Sequence, residues 1–65
     1  MIKKYHIIVE TSTAKYLLLE YFHKKNINVY DVSGYYDNFI LHFEIDLSIY
    51  NPVNIDEEIQ TLLYK

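Results

Sequence analysis

Residues 12–25, STAKYLLLEYFHKK, decide the fold. Ala14, Leu17, Leu18, Tyr21 and Phe22 recur at i, i+3, i+4, i+7 and i+8. That spacing draws a single apolar stripe along a helix and turns it toward a core. Thr11, Ser12 and Thr13 stand before the stripe, and a hydroxyl at any of them can cap the orphan N–H groups of the first turn. Lys24 and Lys25 close the stretch with cations that suit the negative end of the helix dipole. Asn26 can take the left-handed conformation that stops a helix where no Gly is present. Glu20 and Lys24 make a favourable i, i+4 pair. Tyr16 and Leu19 lie off the stripe, on a flank open to another element or a partner.

On the N-terminal side, residues 2–10, IKKYHIIVE, read as a strand. Tyr5, Ile7 and Val9 alternate with Lys4, His6, Ile8 and Glu10, and β-branched and aromatic residues dominate. Ile8 interrupts the alternation, which suggests that the second face of this strand is also partly covered. On the C-terminal side, residues 27–32, INVYDV, read as a second strand. Ile27, Val29 and Asp31 point one way, and Asn28, Tyr30 and Val32 the other. Ser33-Gly34 and Asp37-Asn38 carry turn chemistry, with Tyr35 and Tyr36 exposed between them at a hairpin tip. Residues 39–47, FILHFEIDL, form the longest strand. Phe39, Leu41, Phe43, Ile45 and Leu47 face inward; Ile40, His42, Glu44 and Asp46 face outward. Pro52 biases Asn51 away from helix. Asn54, with Glu57 three residues on, reads as the N-cap of a second helix, and Asp56, Glu57 and Glu58 fall in its first turn. Ile55, Ile59, Leu62 and Leu63 are its apolar stripe.

The order is therefore β-α-β-β-α in one domain, residues 1–65, of the α+β class. A right-handed crossover makes the first two strands parallel, a hairpin follows, and both helices cover one face of a three-stranded sheet. Over its whole length this pattern resembles the split β-α-β, ferredoxin-like arrangement without its last strand. In that arrangement the last strand lies beside the first, so the resemblance implies that strand one is an edge here. This strand is long, apolar and free of proline, and only Lys3 and Lys4 blunt it. The expectation is that Tyr5, His6, Ile7 and Ile8 pair with another chain. A symmetric copy would double the sheet across a two-fold axis.

A chain of 65 residues supports a single core worth no more than about 3–5 kcal/mol. It has no cysteine, so neither disulfides nor thiolate zinc sites can supplement that core. With 51% apolar residues it is far from a disordered composition. The net charge is −3, with nine carboxylates against six lysines and no arginine. That balance argues against phosphate-driven nucleic-acid binding and suits a protein partner with a basic surface. Nothing approaches the roughly 20 apolar residues of a membrane span, and the apolar run after Lys4 is too short for a signal peptide. These features lead to the expectation of an intracellular, cytoplasmic protein.

The outward sheet positions His6, Ile8, Tyr30, Val32, Ile40, His42 and Glu44 combine polar groups with large apolar ones, the mark of an interaction face. Tyrosine, at eight residues, adds contact area at low entropic cost. The residues singled out for partner binding are Ile8, Tyr30, Tyr35, Tyr36, Ile40 and His42, with Tyr16 and Leu19 on the helix flank. If strands one and three pair antiparallel, His6 and His42 come together. No H-x-H or H-E-x-x-H spacing accompanies them, so neither a metal nor another cofactor is expected. Exposed aromatics on a sheet also suit single-stranded RNA, but the chain lacks the basic, glycine-flanked aromatics of that mode. No nucleophile elbow or phosphate loop is present, and the domain is small for enclosing a ligand pocket of about 300 Å³ or more. The expectation is a non-enzymatic protein-binding module, a homodimer, acting as an inhibitor or modulator of the kind phages and mobile elements encode. The alternative is a small-ligand sensor built on dimerised ferredoxin-like units, with its ligand at the subunit interface.

Overall fold

Thr11 turns the first strand into the first helix. Its backbone is extended (φ −135°, ψ 153°), and its Oγ1 accepts a 3.0 Å hydrogen bond from the Ala14 N–H. The hydroxyl thus satisfies one of the N–H groups that the first helical turn leaves without an internal partner. The computed structural model describes residues 1–35 and 37–64. In chain order these form β1 (Ile2–Val9), α1 (Ser12–Lys24), β2 (Asn28–Tyr35), β3 (Asn38–Asp46) and α2 (Pro52–Tyr64).

The end of α1 follows from Asn26, at φ +57°. With that residue left-handed, the Ile27 N–H reaches the Phe22 carbonyl (2.9 Å) and the Asn26 N–H reaches the His23 carbonyl (3.1 Å). This is a Schellman closure, and its usual apolar partners, Phe22 and Ile27, are both buried. Glu20 and Lys24 form the expected pair at 3.0 Å.

α2 begins earlier than the Asn54 capping pattern predicts. Asn51 is the cap: its Oδ1 accepts from the Val53 N–H (2.9 Å), and its carbonyl accepts from the Ile55 N–H (3.1 Å). Pro52 occupies the first helical position, where its missing N–H costs nothing. Asp56, Glu57 and Glu58 therefore lie beyond the first turn, and the dipole does not explain them.

The domain is α+β: a three-stranded antiparallel sheet and two helices. β3 is central, in the order β1-β3-β2, and pairs antiparallel with both neighbours. β1 matches β3 without interruption from Ile2↔Asp46 to Val9↔Phe39. β2 is bulged between Val29 and Asp31. A bulge inserts one residue and so reverses which face every later side chain occupies. Asp31, expected to point inward with Val29, instead opposes outward-facing His42. Val32, expected outward, opposes inward-facing Leu41. The bulge thus keeps a carboxylate out of the core.

Leu18, Phe22, Ile55 and Ile59 from the helices meet Val9, Leu41, Phe43 and Ile45 from the sheet, with Ile27, in one buried cluster. Phe22 and Phe43 stack at 4.5 Å between ring centroids. Each such side chain contributes about 1.5–3 kcal/mol by leaving water. On α1 the stripe is rotated from the expected one. Leu17 is 39% exposed, whereas Leu19 is half-buried against the core. The two lie on opposite flanks of Leu18, and the rest of the domain covers the Leu19 side.

Candidate functional site

Two surfaces carry most of the candidate residues: the outer face of the sheet and the free edge of β1. The outer face is built in cross-strand rows. Opposed residues on antiparallel strands share a face and pack side by side. Lys4, Glu44 and Asn28 make one row, and Asn28 Nδ2 donates to Glu44 Oε2 at 3.5 Å. His6, His42 and Asp31 make the next. The imidazole rings of His6 and His42 stand 6.0 Å apart, as the antiparallel pairing of strands one and three requires. Ser33 Oγ lies 3.2 Å from His42 Nε2, and the Tyr30 ring 6.0 Å from the His42 ring. Lys4 Nζ reaches across to 5.3 Å from the centre of the Tyr30 ring. Ile8, Ile40 and Ser33 form the last row, toward the hairpin.

This layout gives the face a polar middle and an apolar end. Ile8 is 56% and Tyr35 76% exposed, and with half-buried Ile40 they border an open depression of about 440 Å³. Tyr30 and His42 belong to the polar middle. Tyr16 and Leu19 lie elsewhere, on the helical layer. Tyr16 is exposed under Lys15 Nζ, 4.6 Å from its ring, and Leu19 packs on the core. Tyr36 lies outside the described residues. Among the described residues, no group of three or more His, Cys, Asp or Glu side chains is arranged to hold a metal ion. No helix among them is long and apolar enough to cross a membrane.

The β1 edge is the second surface. The Leu47 N–H donates to the Met1 carbonyl at 2.7 Å. Because bonded and non-bonded pairs alternate along an antiparallel ladder, the odd-numbered residues of β1 bond to β3. The N–H and C=O groups of Ile2, Lys4, His6 and Ile8 therefore point away from the sheet. Tyr5 and Ile7 face the helices, half-buried, while His6 and Ile8 are on the outer face. Beneath the edge, between β1 and α2, runs a groove of about 310 Å³ floored by Tyr5, Ile7, Phe43, Ile45, Ile55 and Ile59. No sequence signal marked this groove, because it exists only where α2 lies over the sheet.

A further cluster that the sequence did not reveal joins the helices. Tyr21 Oη donates to Glu58 Oε1 at 2.8 Å, and Lys25 Nζ lies 3.2 Å from the same oxygen. The Tyr50 hydroxyl donates to the Lys25 carbonyl. Burial, reinforced by the Glu58 charge, pushes the Tyr21 hydroxyl well above the usual phenol range. The Tyr21 hydrogen bond, then Lys25, holds Glu58 below the usual carboxylate range. The partners come from α1, its cap, the connector before α2 and α2 itself, so spacing along the chain does not show them. The cluster clamps α2 to the end of α1.

Compared with protein families, curated proteins and solved structures, the chain matches none.

Proposed function

We propose that the chain is a small protein-binding module that works as a homodimer and acts as an inhibitor or modulator of a partner protein. The observation that carries the reading is the bare edge of β1. It runs eight residues in unbroken register with β3. It has neither proline nor bulge, and half of its backbone polar groups point to solvent. The other edge, β2, is blunted in the usual ways: it is bulged and it carries Gly34 at φ +91°. Lys3 and Lys4 guard the start of β1, but each lies over an aromatic ring, Tyr5 and Tyr30 respectively. The strand order β1-β3-β2 suits a ferredoxin-like unit without its last strand, whose vacant position would be beside β1. Pairing there leaves Ile8, Ile40 and Tyr35 at the apolar end of the outer face for the partner. The net charge of −3 favours a partner with a basic surface. Inhibitors encoded by phages or mobile elements against nucleic-acid enzymes fit that description.

Sedimentation equilibrium tests the dimer. A dimer is expected at roughly 10–100 µM, and a monomer throughout that range would overturn the reading. Capture of a partner should weaken with salt, since charge attraction between surfaces is largely screened at about 1 M. Capture indifferent to salt would remove the basic-surface part of the proposal.

One observation favours a second reading, a ligand sensor. The groove under the β1 edge falls at the boundary of such a dimer, and about 310 Å³ is at the small end of ligand sites. A metabolite that raises the melting temperature would support it, because a ligand of the native state must stabilise that state.

A further inference from the structure

We infer that the β1 edge takes a second copy of this chain in one register: antiparallel, centred on Ile7, with Lys4 of each copy opposite Glu10 of the other. This rests on the dimer reading above and specifies its geometry. A two-fold axis normal to the sheet keeps the helices of both copies on one side. Residues facing the helices then oppose their like, as do residues of the outer face, so the axis must run between a residue and its own symmetry mate, at the level of one residue and not between two neighbours in the strand. Three centres use most of the strand. Centred on Tyr5, the pairing sets Lys4 against His6 and Lys3 against Ile7. Centred on His6, it sets the two histidines against each other and Lys3 against Val9. Centred on Ile7, it sets Tyr5 against Val9, His6 against Ile8, and Lys4 against Glu10 at both ends.

Only the last register pairs opposite charges directly, and symmetry provides the pair twice. Opposite charges facing each other across strands stabilise a sheet, and like charges weaken it. The backbone phase agrees. Lys4, His6 and Ile8 are among the residues whose N–H and C=O groups point off the sheet, so His6–Ile8 becomes a hydrogen-bonded pair, while Glu10, just past the end of β1, meets Lys4 through its side chain. Ile7 then faces its symmetry mate at a non-bonded position, where side chains approach most closely. That places Ile7, Tyr5 and Val9 of both copies in a continuous apolar row, with Tyr5 and Ile7 over the groove beneath the edge. Lys4 leaves the Tyr30 ring, 5.3 Å from its Nζ, to reach Glu10. Lys4 and Glu10 are exposed, and neither forms an ion pair among the described residues. Glu10 is the first residue past the end of β1, at the bend that leads to Thr11, so the charge pair sits at the two ends of the new ladder.

The test is sedimentation of the full chain, with Lys4→Glu, Glu10→Lys, and an equimolar mixture of the two. Each single variant turns both pairs into like-charge pairs and should weaken the dimer roughly tenfold. The mixture should recover the wild-type affinity, because each heterodimer regains two opposite-charge pairs. Far-UV circular dichroism confirms that the variants fold, as expected at exposed positions. Single variants with unchanged affinity, or a mixture that fails to recover, overturn this register and leave the dimer standing. A monomeric wild-type chain overturns the dimer and the register together.

Discussion

Gly34→Ala is the sharpest probe of the hairpin that places the outer face. Gly34 sits inside β2, opposite Phe39, at φ +91°. An L-residue there is strained by about 1–3 kcal/mol. The added methyl also meets backbone: a Cβ would lie 2.2 Å from the Asn38 carbonyl oxygen and 3.2 Å from the Phe39 Cα. Neither atom can swing aside as a side chain would, so the strand pair must shift, at about another 1–3 kcal/mol. Against this, alanine stiffens the unfolded chain and returns about 0.4–1 kcal/mol. The net loss is about 3 kcal/mol, comparable with the whole stability of about 3–5 kcal/mol that one core of this size supplies. The variant should be largely unfolded or marginal at 25 °C. Urea titration followed by far-UV circular dichroism reads the loss directly, with the slope checked for two-state behaviour. D-alanine at the same position, accessible by chemical synthesis, favours positive φ and directs its methyl to the other side of the backbone. It should be as stable as wild type or more so. An L-alanine variant within about 0.5 kcal/mol of wild type would refute the reasoning, since that is the range of ordinary surface substitutions.

Two further expectations concern the helix closure and pH. Asn26→Ala, at φ +57°, should cost about 1 kcal/mol and Asn26→Gly should cost nothing or gain. In a domain of this size that separates the melting temperatures by about 4–8 °C, and an alanine variant melting at or above wild type would contradict the Schellman closure. Asp46 is held below the ordinary carboxylate range first by the Ser48 hydroxyl (2.6 Å), then by the Ser48 N–H (3.0 Å). Glu58 is held low by Tyr21 and Lys25. A depressed folded-state value means that the unfolded chain binds protons first, so this stability is present above about pH 4–4.5 and is lost as pH falls through the lowered values. Tyr21, raised by burial, works the other way: above about pH 10 the unfolded chain gives up its proton first, and stability falls as pH rises. Urea midpoints across pH should therefore drop at both ends. In Tyr21→Phe the alkaline drop should shrink, and an unchanged alkaline limb would contradict the assignment.

Much of the fold was legible because it rests on local physics. The element order, the cap residues of α1, Asn26 as its stop and the inward set on β3 follow from periodicity and backbone preference, which act within a few residues. The apposition of His6 and His42 followed as soon as β1 and β3 were paired antiparallel. What the residues alone determined, then, was which segments are helix or strand and which face of most of them is apolar. The tertiary structure decided what depends on neighbours distant in sequence. The bulge before Asp31 exchanged the faces of Asp31 and Val32, because β2 must keep a carboxylate off the core that β3 and the helices share. The covered flank of α1 proved to be that of Leu19 and not Leu17, since periodicity orients a stripe but not its margins. Asn51, with Pro52 behind it, capped α2 in place of Asn54, and Glu58 bound Tyr21 and Lys25 because α2 lies against the end of α1. The groove under β1 and the depression beside Ile8, Ile40 and Tyr35 arise between elements, where no spacing along the chain records them.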